Sequence, residues 1–179
     1  MSIVQRARNI LLEPKSTWPV IAAEPATAQS IYVPYVLVLA AIPAVAGLLG
    51  SGFRTVVGAV VTYIVTLVLI YVLSLIVNAL APTFGGTKDA IAALKLVAYG
   101  STASFLGGIF ALIQEAWILG LFASIYSLYV IYMGLPVLMK CPPAKAPAYL
   151  AVIVVSMIVV SYVLMALTGT LMLGGPGVV

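Results

Sequence analysis

Histidine is missing from this 179-residue chain, and only one aspartate, Asp89, and one cysteine, Cys141, are present. Without imidazole there is no His general base, no His metal ligand, and no Ser–His or Cys–His nucleophile pair. A single aspartate also rules out the paired-aspartate design of an intramembrane protease. One cysteine cannot close an intrachain disulfide. Charge is scarce as well: eight Lys/Arg and four Asp/Glu make up 7% of the residues, against about a quarter in a soluble domain. A surface so poor in charge suits a chain surrounded by lipid. No cofactor or metal is expected, and no enzymatic activity.

Hydrophobic residues supply 64% of the chain, and they fall into long uncharged runs. A spanning helix needs about 20 apolar residues to cross about 30 Å of hydrocarbon. Five segments qualify: Ile31 to Gly50, Val56 to Ala81, Leu96 to Ile113, Trp117 to Met139 and Tyr149 to Leu173. Each is read as free of charge, with Lys95 and Glu115 at the solvated ends of the third. Only Gln114, Glu115 and Ala116 separate the third and fourth segments. A single helix through both would overshoot any bilayer, so they are two. The expected fold is all-α, a polytopic bundle of five transmembrane helices over residues 31–173. A cytoplasmic or interfacial segment (1–30) precedes it, and a short external tail (174–179) follows.

Residues 3–11 place Ile3, Val4, Ala7, Ile10 and Leu11 on one side of a helix, with Gln5, Arg6, Arg8 and Asn9 on the other. That pattern suits a short interfacial helix, or equally an amphipathic helix packed on the bundle. Nothing here has the apolar core and cleavage site of a signal peptide. Trp18 is of the type favoured at headgroup depth, and Pro14, Pro19 and Pro25 interrupt the segment. With the N-terminus inside, seven of the eight basic residues are cytoplasmic, leaving Arg54 outside beside the external turn at Glu115. The excess of positive charge therefore reports topology, and nucleic acid is not an expected partner. Thr87 is the expected N-cap of the third span, with Asp89 in its first turn.

Two helices carry informative faces. In the second, Thr62, Tyr63, Thr66, Tyr71, Ser74 and Asn78 share one half of the circumference and apolar side chains fill the other. In hydrocarbon that half should face protein, through helix–helix hydrogen bonds or as the lining of a small-solute path. In the third, Gly100, Ser101, Ser104, Gly107, Gly108 and Ala111 form a small face about 120° wide, with Tyr99, Phe105 and Leu106 pointing elsewhere. Close packing near the bundle centre follows, within one chain or between protomers. The first and fifth spans are expected to be lipid-facing. Tyr126, Tyr129 and Tyr132 of the fourth drift around the axis, which favours structural packing over a ligand-facing cluster.

Four stretches carry a family resemblance. They are Ala7-Arg8-Asn9-Ile10-Leu11-Leu12-Glu13-Pro14 with Trp18 to Pro25, Phe84-Gly85-Gly86, and Leu94-Lys95-Leu96-Val97-Ala98-Tyr99. The fourth and most specific runs from Leu128-Tyr129-Val130-Ile131-Tyr132-Met133-Gly134 through Leu135-Pro136-Val137-Leu138-Met139-Lys140-Cys141-Pro142. In this order they resemble the YIP (Ypt/Rab-interacting) membrane family, most closely its bacterial and archaeal branch. The resemblance implies a five-helix domain with a cytoplasmic N-terminus in the cell membrane, and supplies no catalytic residue. Eukaryotic members carry a long N-terminal region ahead of the membrane domain, whereas here residues 1–30 precede it. The expected role is non-enzymatic, organising a membrane or binding lipids, a second copy or another membrane protein. The alternative is an oligomeric channel or small-solute transporter.

Overall fold

In a computed structural model of the chain, which describes residues 2–50 and 56–173, every regular element is helical. Arg54 and the tail 174–179, both used in the topology reading, lie outside the described residues. The N-terminal segment is a hairpin of two helices, α1 (Ile3–Leu12) and α2 (Pro14–Ala23). Ser2 caps α1 by accepting from the Gln5 N–H at 3.2 Å. Glu13 stands outside the helical region, as a residue before proline should, and Pro14 starts α2 at a position where a missing N–H costs nothing. The Thr17 hydroxyl closes the hairpin, 3.1 Å from the Asn9 carbonyl and 2.7 Å from that of Glu13. Pro19 sits inside α2 without ending it; the stop comes at Glu24, just before Pro25.

Five further helices are long and apolar enough to cross a membrane: Ala28–Leu49, Val56–Phe84, Ala90–Leu112, Trp117–Leu138 and Pro143–Gly169. The first opens on a capping box between Thr27 and Ser30, then loosens into a π turn at Tyr32–Val36 around Pro34. The second tightens into a 3₁₀ turn at Ala81–Phe84 and ends on Gly85, whose φ of 76° is a left-handed conformation that suits glycine.

The third span begins earlier than hydropathy suggests. Asp89, not Thr87, is its N-cap, accepting from the N–H groups of Ile91 (3.0 Å) and Ala92 (2.9 Å). The Thr87 N–H instead donates to the Met139 carbonyl at 2.9 Å, joining the loop after the second span to the loop after the fourth. Lys95 is therefore well inside the span, which corrects the expectation that every span is uncharged. The helix is also not continuous: it breaks at Ser101, resumes over Thr102–Gly107 and ends in a 3₁₀ turn, Gly108–Leu112. A second short 3₁₀ turn, Gln114–Ala116, separates it from the fourth span.

The third span is the centre of the bundle, as its small face predicts. Its most apolar stretch is 67% buried, against 44% for the first span, 22% for the second and 6% for the fifth. The first and second spans thus exchange the expected roles. The first approaches the third closely where Pro43 meets Gly108. The second bonds Thr66 and Ser74 within its own helix and turns most of its surface outward.

Candidate functional site

The polar residues of the second span do not converge on one path. Thr66 donates to the Thr62 carbonyl at 2.8 Å and Ser74 to the Tyr71 carbonyl at 2.7 Å, so both hydroxyls bond within their own helix. Two bonds join the helix to the first span. Tyr63 donates to the Leu37 carbonyl, and Tyr32 to the Leu67 carbonyl, each at 2.9 Å. Tyr71 is exposed and meets the Tyr32 ring edge-on at 6.3 Å, beside an open, apolar cavity of about 460 Å³. Asn78 is the exception: its Oδ1 is buried without a hydrogen-bond partner.

The third span's small residues serve two neighbours. A Cβ on Gly100 would collide with Ile131, and one on Gly107 with Ala123, both in the fourth span. A Cβ on Gly108 would stand 2.5 Å from Pro43 Cβ and 2.9 Å from its Cα, in the first span. The break at Ser101 leaves the N–H of Ser104 without an intrahelical acceptor, and Ser127 of the fourth span takes it at 2.8 Å. Phe105 is buried alongside the small face, which the helical wheel did not indicate.

The principal polar site lies where the hairpin meets the third span. Lys95 is buried, and its ammonium donates to the Ile21 carbonyl at 2.8 Å and the Glu24 carbonyl at 2.5 Å. These belong to the last turn and C-cap of α2, whose carbonyls have no intrahelical partner and attract a cation. Arg6 pairs with the Glu24 carboxylate, and its guanidinium sits 5.5 Å over the Tyr99 ring. Arg6 Nη1 is buried without a hydrogen-bond partner. Tyr99 meets Tyr35 edge-on at 4.7 Å, the Tyr35 hydroxyl lies 2.6 Å from Thr102 Oγ1, and Thr102 in turn donates to the Tyr99 carbonyl at 2.5 Å.

Trp18 holds the same hairpin from the other side. It is fully buried, not at headgroup exposure, and its indole N–H donates to the Val130 carbonyl at 3.0 Å. Gly134 makes room for it, since a Cβ there would stand 2.7 Å from the indole Cε2. Tyr126 donates to the Leu11 carbonyl at 2.6 Å. The one sequence signal for this docking is the pair of donors, an indole and a lysine at the edges of apolar stretches; Val130 of the fourth span serves the first and the end of α2 the second. Cys141, in the loop beyond the fourth span, is buried, and that burial pushes its thiol above the usual range and away from nucleophilic chemistry.

Five membrane-length helices, four of them around a broken central one, with a helical hairpin docked against them, define a multi-pass helical membrane protein. A family model, the Yip1 domain, matches residues 8–165, and the chain belongs to the Yip1 family. That stretch takes in most of the hairpin and nearly all of the spans. Searches of curated proteins and of solved structures each found no match.

Proposed function

We propose that the protein is a non-enzymatic organiser of a cell membrane, acting through contacts with lipids and membrane proteins, with the hairpin on the cytoplasmic side. The observation that carries this reading is where the buried polar groups are used. Lys95, Arg6, Glu24, Trp18 and Tyr126 hold a hairpin against the spans instead of surrounding a reactive centre. Orientation is supported by charge. Arg6, Arg8 and Lys15 are on the hairpin, Lys95 binds it, and Lys88, Lys140 and Lys145 lie at the linked loops.

One observation favours a second reading, an oligomeric channel: the unpartnered Asn78 Oδ1 inside the second span. Liposomes containing the purified protein should show no ion or small-solute flux above empty vesicles. Flux that disappears in Asn78→Leu, with folding intact, would replace the first reading by the second. Crosslinking in native membranes, with identification of attached proteins and lipids, would then name the partners of an organiser.

A further inference from the structure

Four contacts fix how the hairpin lies. The end of α2 meets Lys95, Arg6 covers Tyr99, Trp18 reaches Val130, and Leu11 at the end of α1 accepts from Tyr126. Along the third span these contacts step inward from Lys95 to Tyr99, and Leu11 then shares a groove with Ala103 and Gly107. Along the fourth they step from Val130 to Tyr126. The hairpin therefore runs beside the spans, with its turn at Leu12–Pro14 deepest.

Tyr126 is twelve residues from the end of the fourth span at Leu138, about 18 Å at 1.5 Å per residue. That is more than half of the roughly 30 Å hydrocarbon layer. Only Trp117 to Tyr126 remain uncovered beyond the turn on this side, about 15 Å of helix. Around the turn the exposed side chains are Arg8, Glu13, Lys15 and Ser16, with Leu12 the apolar one among them. The fifth span is the opposite case. It is 27 residues long, its most apolar stretch is 6% buried, and residues 146–169 are uncharged, about 36 Å of helix.

Hydrocarbon cannot cover exposed charged side chains without heavy cost, and bilayers respond by local thinning and water defects. We propose that the protein thins the bilayer on its hairpin side, drawing headgroups and water of the hairpin's leaflet down to Arg8 and Lys15. Full thickness is kept against the fifth span. Phospholipid headgroups are the occupants: Arg8 and Lys15 outnumber Glu13 on this surface, so anionic phosphate is attracted. A notch of about 320 Å³ lined by Arg8, Asn9, Glu13 and Ser16 gives one headgroup room. The proposal rests on the membrane-organising reading and supplies it with a physical means.

Nitroxides attached at Ser16→Cys and Ile158→Cys, in a Cys141→Ala background, test it in phosphatidylcholine–phosphatidylglycerol vesicles. Ile158 is exposed and lies twelve residues into the helix that begins at Ala146, a depth matching that of Tyr126. The Ser16 label should collide with an aqueous nickel chelate several-fold more often than the Ile158 label, which should collide mainly with oxygen. Thermal unfolding should favour short-chain lipids for the native surface and shift toward longer chains in Arg8→Leu/Lys15→Leu. Oxygen-dominated collisions at Ser16 would overturn the proposal, because the hairpin would then sit in hydrocarbon. Shielding from both reagents would also overturn it, because a second chain would cover the face. Should the double variant fail to fold, the labels alone decide. Solute flux in these vesicles would overturn the organiser reading and leave the label depths unchanged, so the two failures are separable.

Discussion

Lys95 shows how one side chain can join two parts of a membrane protein. Its side chain is buried beside the Arg6–Glu24 pair, and each of its two close contacts is a carbonyl that α2 cannot satisfy by itself. Lys95→Met keeps the length and apolar character of the stem and removes the charge. The Ile21 and Glu24 carbonyls then lose their donor, and a buried acceptor left bare costs about 1–3 kcal/mol. Relief from burying an ammonium offsets part of that, so a net loss of about 2 kcal/mol is expected. Thermal unfolding in detergent would measure it. Stability equal to that of the native protein would mean that Lys95 does not hold the hairpin. The docking could not be read in advance because the partners are main-chain atoms some seventy positions away. Sequence displays a lysine at the edge of an apolar run, and hydropathy ends the span there.

At the scale of elements, periodicity was enough to find the helices and the small face of the third span. It did not reveal which neighbour each glycine meets. Gly100 and Gly107, two turns apart, are closed by the fourth span, and Gly108, about 100° further round, by the first. The break at Ser101 has no strong sequence signal; Ser127, from another span, satisfies the N–H that it frees. Similarly, Thr87 was the expected cap with Asp89 in the first turn; the helix instead starts two residues later on Asp89, and the Thr87 N–H is tied to Met139. The second span's polar face misled for a different reason. Hydroxyls that bond back to their own helix need no protein neighbour, so an amphipathic wheel overstates burial.

The glycine contacts support an unequal response to two substitutions. Gly108→Leu must displace the Pro43 backbone as well as its ring, and overpacking of that kind costs about 3 kcal/mol or more. Phe105→Leu removes buried volume but keeps shape and polarity, for about 1 kcal/mol. Folded yield and unfolding temperature should therefore fall much further for Gly108→Leu. Equal tolerance would refute the close approach of the first and third spans.

The molecule as a whole is lopsided. One side is a compact unit of hairpin, first, third and fourth spans; the other is a long fifth helix attached mainly by its beginning. Its buried residues are Ala146, Tyr149 and Ile153. Tyr149 donates to the Val77 carbonyl and stacks on Phe84 at 4.7 Å, anchoring the beginning of the fifth span on the second. Removing that ring in Tyr149→Ala forfeits burial and the hydrogen bond, about 3–5 kcal/mol for a large aromatic. The loss should fall on the junction and not on the bundle, because opening follows the weakest cooperative boundary. Distances between nitroxides on the exposed faces of the second and fifth spans should broaden in the variant. Those between the hairpin and the fourth span should stay narrow. Broadening of both would show that the fifth span stabilises the whole bundle, and that its exposed surface is covered in the membrane by more than lipid.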